Sequence, residues 1–355
     1  MRAVITSPIQ GLSKSIHSHR SAKAFIYRDL IGRNNGSQIE AIVDVKGDLD
    51  LTSFDIVAVY HGDYSGSLNL FGGLDNFDSR AIVSLSRCKP ERIISLEMPM
   101  PDYCDQLLKR AKNDRNHEKI KDIDFDNWGK ILNWDPEFIP SPWTKYSKEK
   151  IVIGDSHSIS LYRPGWGVWQ IPFRTLYGSL KGDDSDIYSL ARRYLNAGSA
   201  SHLEEIEFYF GNIDIRHHLC RQKDPNSATV ELAERYIDRA SQISKELDCR
   251  VTLVAALPIE NESRVVPKSG HYKGVPFFGS WLERNSIKTL FNSTLEAGCS
   301  VKEGLTYSYP WGKISNQKGE LSFGAMEKPR SVHLSRASYP YWTGEVQPTD
   351  LSNFI

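Results

Sequence analysis

Positive charge in excess is the first thing this chain lacks. Its 44 Lys and Arg are matched by 44 Asp and Glu, and the pI is near 7.1. A protein that clamps long duplex nucleic acid, or holds an anionic membrane through basic residues, carries surplus cations. Neither describes the whole chain. No apolar run approaches the roughly 18–20 residues that span a bilayer. The opening MRAVITSPIQGLSKSIHSHR has no apolar core of the kind a secretory signal needs, which predicts a cytoplasmic protein. Cysteine is sparse: Cys88, Cys104, Cys220, Cys249 and Cys299 are five, odd in number and without a CxxC pair. That argues against a disulfide framework and a zinc site, and predicts reduced, mostly buried thiols. No internal repeat or low-complexity tract is present.

Aromatic residues are plentiful. Fourteen Phe, 16 Tyr and 8 Trp are far more than a disordered chain carries. At 355 residues the length suits about two domains. Residues 1–112 read as a small α/β (Rossmann-like) domain. Apolar runs at Arg2–Thr6, Ile39–Val45, Ile56–Tyr60, Ala81–Leu85 and Arg92–Met98 suit buried strands, and Ala22–Ile31 and Tyr103–Lys112 have helical spacing. Residues 113–148 are polar with three Trp and three Pro, and read as a connector that packs against one or both domains. From 149 to 355 strand and helix alternate again. Strands are expected at Ile151–Ile153, Leu203–Phe210 and Arg250–Leu257. Helices are expected at Ala228–Leu247 and Trp281–Ala297, the last capped by Gly298. Strands separated by helices imply a parallel, three-layer α/β domain.

Three blocks of that second half can do chemistry. In the first, Ile151-Val152-Ile153 runs into Gly154-Asp155-Ser156-His157. Functional groups of open parallel sheets gather at the carboxyl ends of strands. A serine there can point its Oγ into a cleft, and the N–H groups of a following helix can bind an oxyanion. Alternatively, Asp155 and Ser156 only cap that helix. In the second block, Phe208-Tyr209-Phe210-Gly211 leads into Asn212, Asp214, Arg216, His217 and His218. Asn212 can donate to an oxyanion, and Arg216 can pair with a substrate carboxylate or phosphate. The adjacent imidazoles diverge at this spacing, so no metal site is expected. A structural Asp214–Arg216 ion pair is the alternative. The third block, Ser331-Val332-His333, supplies a late histidine, the side chain suited to a general base near neutral pH.

The Gly-Asp-Ser block, the Gly211-Asn212-Ile213-Asp214 block and His333, in that order, resemble the SGNH (GDSL-type) hydrolase family over residues 150–340. FGNIDIRHH also looks like an FGEIDxRxH variant of SGNH-like proteins found near polysaccharide-modifying genes. The resemblance implies Ser156 as nucleophile, His333 as base, and the Ser156 N–H with Asn212 as oxyanion donors. Two departures stand out. Ile213 occupies the family's asparagine position, and Arg330 replaces the aspartate expected three residues before His333. A backbone carbonyl or another carboxylate, Glu327 or Asp214, would then have to hold the imidazole.

Around these blocks, the loop Tyr162–Leu180 brings Trp166, Trp169 and Arg174 close behind Ser156. A second loop, Glu260–Ser280, joins a strand to the last helix. Aromatic rings stack on sugars and bases, and arginine suits polar or anionic groups. In the first half, the glycine-rich Tyr60–Gly73 carries His61 and Asn69 and can line a phosphate or sugar pocket, or serve tight packing alone. The expected function is a cofactor-free serine esterase or O-acyltransferase acting on a small polar, sugar-like or sugar-nucleotide-like substrate. Ser156, His333, Asp155, Asn212 and Asp214 would be catalytic. Arg216, His157, Trp166, Arg174, His61 and Asn69 would bind substrate. Two rivals are an SGNH-like binding module without turnover and a nucleotide- or nucleic-acid-modifying enzyme.

Overall fold

The computed structural model describes residues 2–6, 40–44, 50–60, 79–96, 121–133, 138–139, 149–163, 165–171, 174–183, 186–197, 202–260, 274, 278–327 and 331–342. The chain divides into two compact units, Met1–Pro142 with Gly344–Ile355, and Trp143–Thr343.

The first unit holds five parallel strands: β1 (Arg2–Thr6), β2 (Glu40–Asp44), β3 (Ile56–Tyr60), β4 (Ile93–Leu96) and β5 (Phe138–Ile139). Val4, Ile5, Val57, Ala58 and Val59 are fully buried. Successive strand residues point to opposite faces, so both faces of this sheet are covered, as the unbroken β-branched runs require. The order is β2-β1-β3-β4-β5. Among the described residues this is the 2-1-3-4-5 doubly wound order, not the 3-2-1-4-5-6 order of a dinucleotide-binding Rossmann sheet.

Two expectations change here. Ala81–Leu85 lies inside a helix, α1 (Ser79–Ser86), not a strand. A five-residue apolar run fits either element, and here Leu85 is buried while Val83 and Ser84 are half-buried. The expected connector divides at 142: α2 (Phe125–Asn133) and β5 belong to the first unit. Asp124 starts α2 by accepting the Asn127 N–H, and Trp128 and Ile131 seat it inward. The segments 22–31, 103–112 and 61–73, with His61 and Asn69, lie outside the described residues.

The second unit has five more parallel strands: β6 (Lys150–Gly154), β7 (Gly167–Gln170), β8 (Glu205–Tyr209), β9 (Arg250–Val254) and β10 (Leu305–Ser308). Their order is β10-β9-β8-β6-β7. Counted from β6, this is again 2-1-3-4-5, and the switch point falls between β6 and β8. Ile151, Val152 and Ile153 are fully buried, so this sheet too is covered on both faces and is the centre of a three-layer α/β unit. β7 arises inside the stretch expected to be a loop.

The helices of this unit are α3 (Ile187–Ala197), α4 (Asn212–His217), α5 (Pro225–Leu247) and α6 (Trp281–Ser300). α5 starts at Asp224, which accepts the Ser227 N–H, with Pro225 in its first turn. α6 starts in a capping box of Ser280 and Glu283. Gly298 does not end α6. It lies within the helix where a Cβ would stand 2.4 Å from Ile237 Cδ1, so its role is the close approach of α6 to α5.

Candidate active site

Gly154 ends β6 and is paired in register with Tyr209 of β8 and Gln170 of β7. A Cβ at Gly154 would sit 2.3 Å from the Tyr209 carbonyl oxygen, so only glycine fits. The chain then turns. The Asp155 N–H donates to Tyr209 O at 3.1 Å, and the Ser158 N–H and Oγ both donate to Asp155 O. The helix expected behind Ser156 is a single short 3-10 turn, Ser158–Leu161. Such a turn offers little helix dipole, and the fixed backbone of the turn itself has to position the serine. Gln170 adds to this by donating from Nε2 to Ser156 O at 2.6 Å. Ser156 remains half-buried between buried Asp155 and His157.

His333 reaches this serine. Its Nε2 lies 3.0 Å from Ser156 Oγ. Behind the ring, Nδ1 is 3.7 Å from Glu327 Oε1. The two residues face each other across a short antiparallel bridge: Met326 pairs with Leu334, the Glu327 N–H donates to His333 O, and the Ser335 N–H donates to Ala325 O. Directly opposed residues of such a pair have neighbouring side chains. Ser331 ties the corner, donating from Oγ to Glu327 Oε1 and accepting the His333 N–H. Of the two carboxylates considered from sequence, Glu327 is the one beside the ring.

Asp155 has a full set of partners. Its Oδ1 accepts the His157 N–H and also meets His157 Nδ1, each at 2.9 Å, while Oδ2 is 3.4 Å from Asn212 Nδ2. Asn212 opens α4 after Gly211, whose φ of 102° and contact with Phe291 suit glycine. The Asn212 Oδ1 accepts the Leu257 N–H at 3.0 Å, which leaves Nδ2 facing the Gly-Asp-Ser turn. His157, expected to meet substrate, is instead 4% exposed. Its ring lies against that of His333, with centroids 4.8 Å apart and planes tilted by 35°.

Asp214 and Arg216 are placed differently from expectation. The Asp214 carboxylate accepts the N–H groups of Leu176 and Tyr177 and so anchors the 174–180 segment. Burial pushes its pKa up to about 6, against those two hydrogen bonds. Arg216 is buried with Glu260, and also donates to Asn212 O and Pro258 O. A guanidinium occupied in this way clamps α4 to the end of β9 and is not set out for substrate. The two residues do not pair with each other in any described contact. Trp166 lies beneath the Arg163 guanidinium, 3.4 Å from the ring centroid, and Arg163 is held bidentately by Glu207. Trp166 and Arg174 are half-buried.

Burial pushes the thiols of Cys249 and Cys299 up to about 11 and that of Cys88 to about 12, which disfavours them as nucleophiles. Among the described residues, Glu149, His202 and Glu204 bring ligand atoms within 4.8 Å of one another. All three are exposed, and the Lys150 ammonium already lies 3.4 Å from Glu204. Sequence reasoning missed the roles of Gln170, which donates to the Ser156 carbonyl, and of Ser331, which joins the Glu327 carboxylate to the His333 N–H; neither role carries a motif. No described helix is long and apolar enough to cross a membrane.

No protein-family model matches the chain, and no curated protein matches it. Solved structures similar to it include one described as a platelet activating factor from Streptococcus pneumonia, at 15% identity and a TM-score of 0.40, covering 60% of this chain and 87% of the other. Another is phospholipase A1 from Streptomyces albidoflavus NA297, at 12% identity and 0.33, covering 54% and 94%. A third is the acetyl xylan esterase AlAXEase, also at 12% and 0.33, covering 54% and 94%. Likenesses this distant transfer no activity to the chain.

Proposed function

We propose that the second unit is an SGNH-type serine esterase or O-acyltransferase in which Ser156 and His333 form the catalytic pair. One observation carries the proposal: the 3.0 Å approach of His333 Nε2 to Ser156 Oγ at the carboxyl end of β6, beside the switch point of the sheet. That is hydrogen-bond reach for a nucleophile and its base. Ser156 Oγ attacks the acyl carbon as its proton passes to His333 Nε2. The carbonyl oxygen takes the negative charge, and the Ser156 N–H and Asn212 Nδ2 are the proposed donors to it. Collapse breaks the bond to the alcohol, which leaves with the proton from His333. Water, or a second hydroxyl, then attacks the acyl-serine, returning a proton through His333 to Ser156. Glu327 orients the ring and faces the imidazolium. Asp155 holds the turn and does not exchange protons with substrate.

The proposed substrate is an ester of a polar, carbohydrate-like alcohol. Arg174, half-buried in the segment that Asp214 anchors, supports a polar alcohol, whereas Trp166 precedes β7 at the amino edge of the sheet, beneath Arg163. A fluorophosphonate probe and p-nitrophenyl acetate test the chemistry. Stoichiometric labelling at Ser156, absent in S156A, is the expected result. Labelling elsewhere, or none, would remove the esterase proposal and leave a binding module. Acetylated sugars compared with long-chain esters test the substrate class, with preference for the long chains counting against it.

A further inference from the structure

We propose that the buried Asp155–His157 pair is a positioning device for His333, a second imidazole that steadies the base and favours its charged form. This inference rests on His333 being the base. Asp155 Oδ1 receives His157 Nδ1 at 2.9 Å, which puts the His157 proton on that nitrogen. Nε2 is then the other pole of the ring, and it is buried without a hydrogen-bond partner. An unpartnered buried nitrogen is costly. A phenyl ring would fill the same space without that cost, so packing alone does not account for histidine here.

The ring's neighbour does account for it. The His333 ring lies 4.8 Å away, face towards face with a 35° tilt. While His333 is neutral, this is an ordinary tilted contact between two aromatic rings. When His333 takes the Ser156 proton it becomes a cation over a π face, which is attractive. Asp155 behind His157 strengthens that face by polarising the ring, as linked hydrogen bonds do in a low-dielectric interior. The gain exists only after proton transfer, so it lowers the barrier and not the energy of the resting site. On the other side of the ring, Glu327 Oε1 stands 3.7 Å from Nδ1. Other titratable groups near these rings are Tyr209, edge-on to His157 at 6.4 Å, and Tyr339, which together with Arg336 adjoins Glu327.

The test uses the full chain and the pH dependence of fluorophosphonate labelling at Ser156. H157N keeps an amide donor for Asp155 but removes the ring. It is expected to label at least ~10-fold more slowly, with kcat on p-nitrophenyl acetate falling and KM unchanged. Its acid limb should move to lower pH, because the His333 imidazolium has lost support. H157A should regain rate with added imidazole. A folded H157N with wild-type rate and acid limb, beside an inert S156A, overturns the inference while the catalytic pair stands. Full labelling of S156A overturns the catalytic pair itself. If both His157 variants fail to fold, nitrogen NMR of the wild-type protein decides: a His157 ring protonated on Nδ1 alone at the pH of labelling supports the proposal, and a proton on Nε2 overturns it.

Discussion

The two units carry sheets of the same strand order, but their described polar networks differ. In the first unit they gather at the amino ends of the strands. The Arg2 N–H donates to Asp55, Arg92 donates to Phe54 O just before β3, and Asn127 donates to Ser86 O and Cys88 O just ahead of β4. In the second unit one network lies at the carboxyl ends, around Asp155, His157, Asn212 and His333, while ion pairs of Lys150 with Glu204 and of Arg250 with Glu205 lie at the amino ends. Strand order creates a crevice where the connections part, but it supplies no chemistry. The side chains delivered to that crevice do.

The largest effect should come from the second unit's carboxyl edge. S156A is expected to lower turnover roughly 10³-fold or more, H333A by a similar factor, and the double variant by no more, because the pair acts as one unit. Melting temperature should hardly move. Additive losses would break the assignment of that edge to catalysis. Next comes E327Q, for which a loss of roughly 10²-fold is expected, smaller than the ~10⁴-fold of a tightly bonded triad carboxylate, since Glu327 stands off at 3.7 Å. An unchanged rate would remove Glu327 from the orienting role.

The described amino-edge contacts of the first unit should answer in stability. N127A leaves two carbonyls short of a donor and is expected to cost about 1–3 kcal/mol in denaturant unfolding, with Ser156 labelling of the folded protein unchanged. A labelling defect would show that the amino-edge network is not merely structural. Asp214 sharpens the contrast within the second unit. Its folded pKa of about 6 is above the ordinary carboxylate value of 3.8, so the folded state binds the proton more tightly than the unfolded chain. The stability this gives is fully present below about pH 4 and is lost as pH rises through about 6. D214N, which cannot titrate, should abolish that slope in melting temperature. The smallest effect is expected of the thiols: iodoacetamide should leave Cys88, Cys249 and Cys299 unmodified in the folded protein, and the activity intact.

What could be read from sequence was whatever a short stretch determines alone. β6 and its Gly-Asp-Ser turn, β8 with Gly211, and the late histidine are local patterns, and all lie at one sheet edge. What could not be read depends on distant partners. Asp214 looks catalytic until the N–H groups of Leu176 and Tyr177 fill its oxygens. Arg216 looks like a substrate clamp until Glu260, 44 residues later, takes it. Gly298 looks like a helix cap until Ile237 of α5 approaches it. Ala81–Leu85 and β7 show the other limit, short segments whose periodicity does not choose between elements.

Glu327 and His333 are brought together by antiparallel pairing, with Met326 against Leu334, and not by a fixed interval along the chain. Such a pair is inherited as a register. Removing one residue from the stretch between them would swing the carboxylate to the far side of the pairing, whereas a change that kept the pairing would leave the acid in place at a new spacing. Searches that demand an acid three residues before the histidine pass over this arrangement. A search for an acid opposite a histidine across a late antiparallel bridge would find it.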